Sequence, residues 1–181
     1  MQKTIQNLID AIIGESTASA SYAAYAAQAG REGFPQIQKM FEATSKAESI
    51  HAANHARVLK QLGGTIPTFE IKIDVKTTVE NLVMAKAGEV HEFSEMYPEF
   101  IEAAKAEGQK AAVHTFEMAM EVEKIHAQLY QNATDAIAAG TTANLPKEYW
   151  VCPVCGDTFG SLEGLQACPI CRVKPEKFLK F

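Results

Sequence analysis

Residues 47–52 read AESIHA and residues 121–127 read EVEKIHA, so Glu48/His51 and Glu123/His126 form two Glu-x-x-His pairs. Each pair follows a lone glutamate at nearly the same distance: Glu15 precedes Glu48 by 33 positions, and Glu89 precedes Glu123 by 34. Residues three apart lie on one face of a helix, so both members of a pair can reach one cluster. One glutamate from each of two helices, with a Glu-x-x-His pair from each of the other two, is the ligand pattern of a di-metal carboxylate site in a four-helix bundle. The sets repeat at offsets of 74 and 75 residues, which implies an approximate two-fold relation between the first and second helix pairs.

The rest of the first 139 residues has the composition of such a bundle. It is rich in Ala, Glu, Lys, Met and Leu, and its breaks are Gly30 to Gly33 with Pro35, then Gly63-Gly64, Gly108 and Gly140. These divide it into helical stretches at about 4–30, 36–62, 77–107 and 109–139. The third opens with the capping-box pattern Thr77-x-x-Glu80, and Pro98 inside it predicts a kink. Between the second and third stretches, Phe69, Ile71, Ile73 and Val75 alternate with polar neighbours, which predicts a half-buried extended segment. Fourteen extended residues reach about 46 Å, whereas a helix of 27 residues is about 40 Å long. The segment can therefore cross the whole bundle; a β-hairpin arm is the alternative.

An unpaired buried carboxylate is costly. Glu15, amid IIGESTASASYAAYAA, is therefore either a ligand or on a solvated face. The matched repeat favours the ligand reading. Oxygen-rich ligation with one imidazole per metal suits iron or manganese better than zinc or copper(I). Glu92, three residues after Glu89, adds a fifth carboxylate to Glu15, Glu48, Glu89 and Glu123, so two ferrous ions would leave the site close to neutral. Tyr22 shares the Glu15 face and Tyr97 follows Glu92 by five residues; each is a core aromatic or a site residue. His55 lies one turn beyond His51 and can support the ligands, while His91 and His114 fall off the shared faces.

All four cysteines fall in Cys152-Pro-Val-Cys155 and Cys168-Pro-Ile-Cys171. Two C-x-x-C knuckles at this spacing mark a tetrahedral thiolate site and do not choose between zinc and iron. With no cysteine left for a disulfide framework, a reducing cytoplasm is expected. Asp10 and Glu15 interrupt the first apolar stretch, which reads poorly as a signal peptide. A net charge of −5 argues against nucleic acid as a partner, and no apolar run approaches the 20 or so residues of a membrane span.

At these residues the chain resembles the rubrerythrins. The resemblance runs through GES…Y at 14–22, AESIHA at 47–52, AGEVHEFSEMYP at 87–98, EVEKIHA at 121–127 and WVCPVCG…CPIC…F at 150–178. It implies a mainly α protein: a ferritin-like di-iron bundle over 1–140, a linker over 141–147 and a rubredoxin-like four-cysteine iron domain over 148–181. It also implies reduction of hydrogen peroxide to water in oxidative stress defence. A reductase or rubredoxin would supply electrons through the four-cysteine iron, a site that can take zinc after heterologous expression. By the same resemblance Glu48 and Glu123 bridge the irons, Glu15 and Glu89 are terminal ligands, and His126 holds one iron. The other iron exchanges Glu92 for His51, and Tyr22 and Tyr97 join these two in the catalytic set. A head-to-tail homodimer or higher homo-oligomer is implied too. The linker length agrees, since the end of the fourth helix lies about 24 Å from Glu123 and His126, so a neighbour's four-cysteine domain is expected at each cluster. A ferroxidase or iron-storage protein is the alternative, and a zinc ribbon docking on a partner is a third. Arg172 stands where rubredoxin-like knuckles often have glycine.

Overall fold

The computed structural model describes all residues from Met1 to Phe181. Its helices are α1 (Gln2–Arg31), α2 (Pro35–Gln61), α3 (Thr78–His91), α4 (Tyr97–Ala106) and α5 (Lys110–Ala138). The third stretch of the sequence is thus two α-helices joined by a π-helical turn, Glu92–Met96. Pro98 does not kink a helix interior. It sits in the first turn of α4, where a missing N–H is tolerated, and the irregularity lies upstream in the π turn. The capping box is present: the Thr77 side chain accepts from the Glu80 backbone N–H, and Glu80 accepts from that of Thr77.

α1 and α2 form one antiparallel pair, and α3, α4 and α5 form the other. Ser19 and Ser45 lock the first pair by donating to each other's backbone carbonyls at 2.8 and 2.7 Å. Glu32, just past α1, accepts from the Thr78 backbone N–H at 2.9 Å, so α3 starts beside the end of α1. At the other end of the bundle Glu107, after α4, accepts from Thr4 and meets the N-terminal amine. Residues 63–77 therefore traverse the bundle without helix, strand or hairpin. Of the alternating residues only Phe69 is half-buried as the pattern suggested; Ile71 is exposed, and so are Ile73 at 44% and Val75 at 40%. A period of two says where successive side chains point, and nothing in a single chain covers this face.

The core is divided. One apolar cluster gathers Tyr22, Tyr25, Phe41, Leu82 and Tyr130. The other gathers Leu8, Ile12, Val58, Tyr97, Phe100 and Phe116. Between them lie the buried acids and histidines.

The C-terminal unit is a three-stranded sheet of β1 (Trp150–Val151), β2 (Thr158–Phe159) and β3 (Leu179–Lys180), in the order β2-β1-β3 and antiparallel. It does not stand away from its own bundle as the linker argument suggested. The chain turns back through Gly140 and a short 3₁₀ turn at Thr142–Asn144, with Leu145 packed on the bundle core. Tyr149 and Val151 are buried in the same cluster as Phe41 and Tyr130. Burying such side chains contributes roughly 1.5–3 kcal/mol each, enough to hold a short linker against the bundle wall.

Candidate metal centre

Glu15 from α1, Glu48 and His51 from α2, and Glu123 from α5 bring one ligand atom each within 4.8 Å of one another. Glu48, Glu89 from α3, Glu123 and His126 do the same, so the two groups share Glu48 and Glu123. The shared carboxylates reach both imidazoles. His51 Nδ1 lies 2.9 Å from Glu48 Oε2 and 2.8 Å from Glu123 Oε1. His126 Nδ1 lies 2.9 Å from Glu48 Oε1 and 3.0 Å from Glu123 Oε2. Glu15 Oε2 stands 3.5 Å from His51 Nδ1, and Glu89 Oε1 3.9 Å from His126 Nδ1. All six residues are buried.

Glu15 Oε2, both oxygens of Glu48 and of Glu123, and both histidine Nδ1 atoms are buried without a hydrogen bond. Buried polar atoms are rarely left so; converging from four helices, they form a donor set for two hard cations. Electrostatics agree. Burial pushes the Glu15 carboxyl up to about 8 against the pull of His51, and burial beside Glu48 and Glu123 pushes Glu89 well up. Burial alone would lower His51 and His126, but Glu123 and Glu15 around the first, and Glu48 around the second, hold both well above the usual range. Groups held this far from their ordinary values are ones whose protons two divalent ions would displace.

Each glutamate that belongs to one group alone carries a tyrosine. Tyr22 donates to Glu89 Oε1 at 2.7 Å, and Tyr97 donates to Glu15 Oε1. Glu92 stands beside the cluster rather than in it: its oxygens join neither group. It opens the π turn, half-buried, and burial together with Glu15 and Glu89 raises its carboxyl well above the ordinary range. His91 is exposed and pairs with Glu95, and His114 is also exposed.

The four cysteine thiols, all free, also lie with their Sγ atoms within 4.8 Å of one another. Cys152 and Cys171 are 3.3 Å apart and Cys155 and Cys168 3.5 Å, close to the roughly 3.8 Å edge of a tetrahedron with metal–sulfur bonds near 2.3 Å. The two knuckles match bond for bond. The Gly156 N–H donates to the Cys152 carbonyl at 3.0 Å, and Arg172 to that of Cys168 at 2.9 Å. Both residues are left-handed, with φ +83 and +66. Arg172 takes the turn that glycine takes in the first knuckle.

The two sites meet. His51 Nε2 lies 2.9 Å from the Cys155 carbonyl, and Asn54 donates to the Val154 carbonyl at 2.8 Å. His126 Nε2 lies 3.0 Å from Thr158 Oγ1, whose hydroxyl donates to the Gly156 carbonyl. With Nδ1 aimed at the carboxylates, each Nε2–H is the donor, as outer partners of metal-bound histidines require. Gly156 fits so closely that a Cβ there would come within 2.5 Å of His51 Nε2. Asn54 and Thr158 were not singled out from the sequence. Asn54 shares a face with His51, which is a signal, but Thr158 becomes a partner only on docking.

A family profile described as rubrerythrin matches residues 6–134. Rubrerythrin-2 of Clostridium acetobutylicum is 39% identical over 169 residues, which cover 93% of this chain and 91% of that protein. The chain belongs to the rubrerythrin family. Nigerythrin of Nitratidesulfovibrio vulgaris is 36% identical over 180 residues, 98% of this chain and 86% of that one. The structure of fully reduced, all-ferrous nigerythrin superposes with a TM-score of 0.86 at 35% identity, covering 98% of this chain and 86% of that chain. Family and geometry agree on a ferritin-like bundle with a carboxylate–histidine di-iron site and a rubredoxin-like four-cysteine iron site. No helix is long and apolar enough to cross a membrane.

Proposed function

We propose that this chain is a peroxidase that reduces hydrogen peroxide to water in oxidative stress defence. The observation that carries the reading is the hydrogen-bonded contact of His51 Nε2 with the Cys155 carbonyl, which joins the thiolate site to the carboxylate site inside one chain. When bound, iron at the two sites would supply the redox chemistry, two electrons and two protons converting one hydrogen peroxide into two waters.

The residues divide the remaining work. Glu15, Glu48, His51, Glu89, Glu123 and His126 would hold the iron pair, with Glu48 and Glu123 reaching both metals and Glu92 available from the π turn. A π turn of this kind often marks a functional position. Tyr22 and Tyr97 orient the outer glutamates and hold hydroxyl protons beside the pocket. The two apolar clusters keep bulk water out, which strengthens every charge interaction inside. Cys152, Cys155, Cys168 and Cys171 would hold the single iron. The sequence divides accordingly into a bundle over 1–140, a linker over 141–147 and the thiolate domain over 148–181.

A reductase or rubredoxin would deliver electrons to the thiolate site, and free thiols fit a reducing cytoplasm. A second copy of the chain would cover the apolar face of Ile71, Ile73, Val75, Val79, Val83 and Val90, all exposed in one chain. A ferroxidase or iron store would need only the bundle and gains nothing from a thiolate domain seated on both histidines.

The test is reconstitution of the four-cysteine site with iron or with zinc, leaving two irons in the bundle. The iron form should turn over peroxide with a reductase donor and the redox-inert zinc form should not. Equal turnover would reduce the thiolate domain to a structural role.

A further inference from the structure

The approximate two-fold of the ligand set fails at Glu92, whose counterpart after Glu15 is Ala18, and at a second pair of positions beside the histidines. His55 lies four residues after His51, and Tyr130 lies four residues after His126. On the Glu89 side, Tyr22 packs edge-on against Tyr130 at 5.6 Å, and the Tyr130 hydroxyl makes no hydrogen bond to Tyr22. On the Glu15 side the corresponding space holds an imidazole with both nitrogens engaged. His55 Nε2 is 3.1 Å from the Tyr97 hydroxyl, and His55 Nδ1 is 3.1 Å from Thr115 Oγ1. Thr115, His55, Tyr97 and Glu15 are all buried.

Proton positions along this chain of contacts are fixed by elimination. A metal-bound Glu15 is a carboxylate and only accepts, so the single hydroxyl proton of Tyr97 goes to it. The Tyr97 oxygen then has only lone pairs for His55, so His55 Nε2 carries a hydrogen. The remaining lone pair on Nδ1 takes the Thr115 hydroxyl proton. Every donor points the same way, from Thr115 through His55 and Tyr97 to Glu15.

We infer that His55 is a positioning residue that, as its Nε2–H tautomer set between Tyr97 and Thr115, holds Tyr97 as donor to Glu15 and so makes the two metal positions inequivalent. The inference rests on the reading of the cluster as a di-metal site. At the His51/Glu15 position the carboxylate that would hold a metal is drawn toward an ordered relay. At the His126/Glu89 position Tyr22 donates to the glutamate, and its aromatic neighbour adds no hydrogen bond to it. The relay would draw carboxylate charge away from the first position.

Nuclear magnetic resonance of the full chain loaded with diamagnetic zinc at all sites tests this. His55 should show an unprotonated Nδ1 and a protonated Nε2, and the Tyr97 hydroxyl proton should be protected from exchange and visible far downfield. His55→Leu should lose that hydroxyl signal and His55→Gln should restore it, while Thr115→Val should keep the Nε2–H and shift only the Nδ1 resonance as its hydrogen bond is lost. An Nδ1–H or doubly protonated His55 in the unmutated chain, which needs no variant to fold, would overturn the inference. So would a Tyr97 hydroxyl signal unchanged in a folded His55→Leu protein. Failure of the bundle to take two metals would instead sink the di-metal reading, and metal counting reports that separately.

Discussion

Arg172 shows how much backbone strain a metal knuckle tolerates. Its φ of +66 places it in the left-handed region, and its side chain is exposed. Nothing the guanidinium touches offsets the roughly 1–2 kcal/mol that a residue with a Cβ gives up there. Glycine would relieve this, less the roughly 0.5–1 kcal/mol of chain entropy it loses on folding. Arg172→Gly is therefore expected to stabilise the four-cysteine domain by up to about 1 kcal/mol without changing its metal. Thermal melting followed at Trp150 would show it, and a lower melting temperature would contradict this reading of the turn. Gly156, in the matching turn, is under a second constraint, since its α-carbon faces His51 Nε2. In Gly156→Ala the new methyl meets both the left-handed backbone and the imidazole. The docked contact should weaken by about 1–3 kcal/mol, the range for a strained residue together with a lost hydrogen bond. Both sites should still load metal, and an artificial donor that reaches the bundle directly should still support turnover. Reduction through the thiolate iron should slow, which single-turnover kinetics would report; an unchanged rate would show that this contact does not carry the electron.

Helices 1, 2 and 5 were legible because their glycine breaks and ligand spacing agree. The six buried candidate ligands were legible for the same reason: a carboxylate–imidazole pair repeated at matched offsets points to one shared cluster. The π turn was not legible. It inserts a wider turn between Glu89 and Tyr97 without a glycine or proline at its start, and Pro98, the visible breaker, only marks where α4 begins. The exposure of the crossover was not legible either, because alternation at Ile71, Ile73 and Val75 describes a face and not what covers it. Asn54 and Thr158 escaped because their partners lie about 100 and 32 positions away along the chain. Such pairings are set by how the small sheet seats on α2 and α5, and local periodicity carries no trace of them.

In the whole molecule the correction that matters most is the position of the four-cysteine domain. Linker arithmetic favoured a neighbour's domain at each cluster, because eight residues must retrace the bundle wall. The chain does retrace it, with Leu145, Tyr149 and Val151 packed on the core. Electron transfer within one chain is the expectation that follows. A variant truncated after Thr142 mixed with a Glu123→Ala/His126→Ala variant should then stay inactive with a reductase donor in confirmed mixed dimers. Restored turnover would mean that the domain seats on a neighbour instead. The peroxidase reading itself is best judged by anaerobic rapid mixing of the fully reduced, iron-loaded chain with hydrogen peroxide and, separately, with dioxygen. Oxidation by peroxide should be faster by well over an order of magnitude, and Glu92→Ala should load two irons yet lose most of that advantage. Dioxygen reacting as fast as peroxide, with ferric iron accumulating in the bundle, would contradict it and point to ferroxidase chemistry.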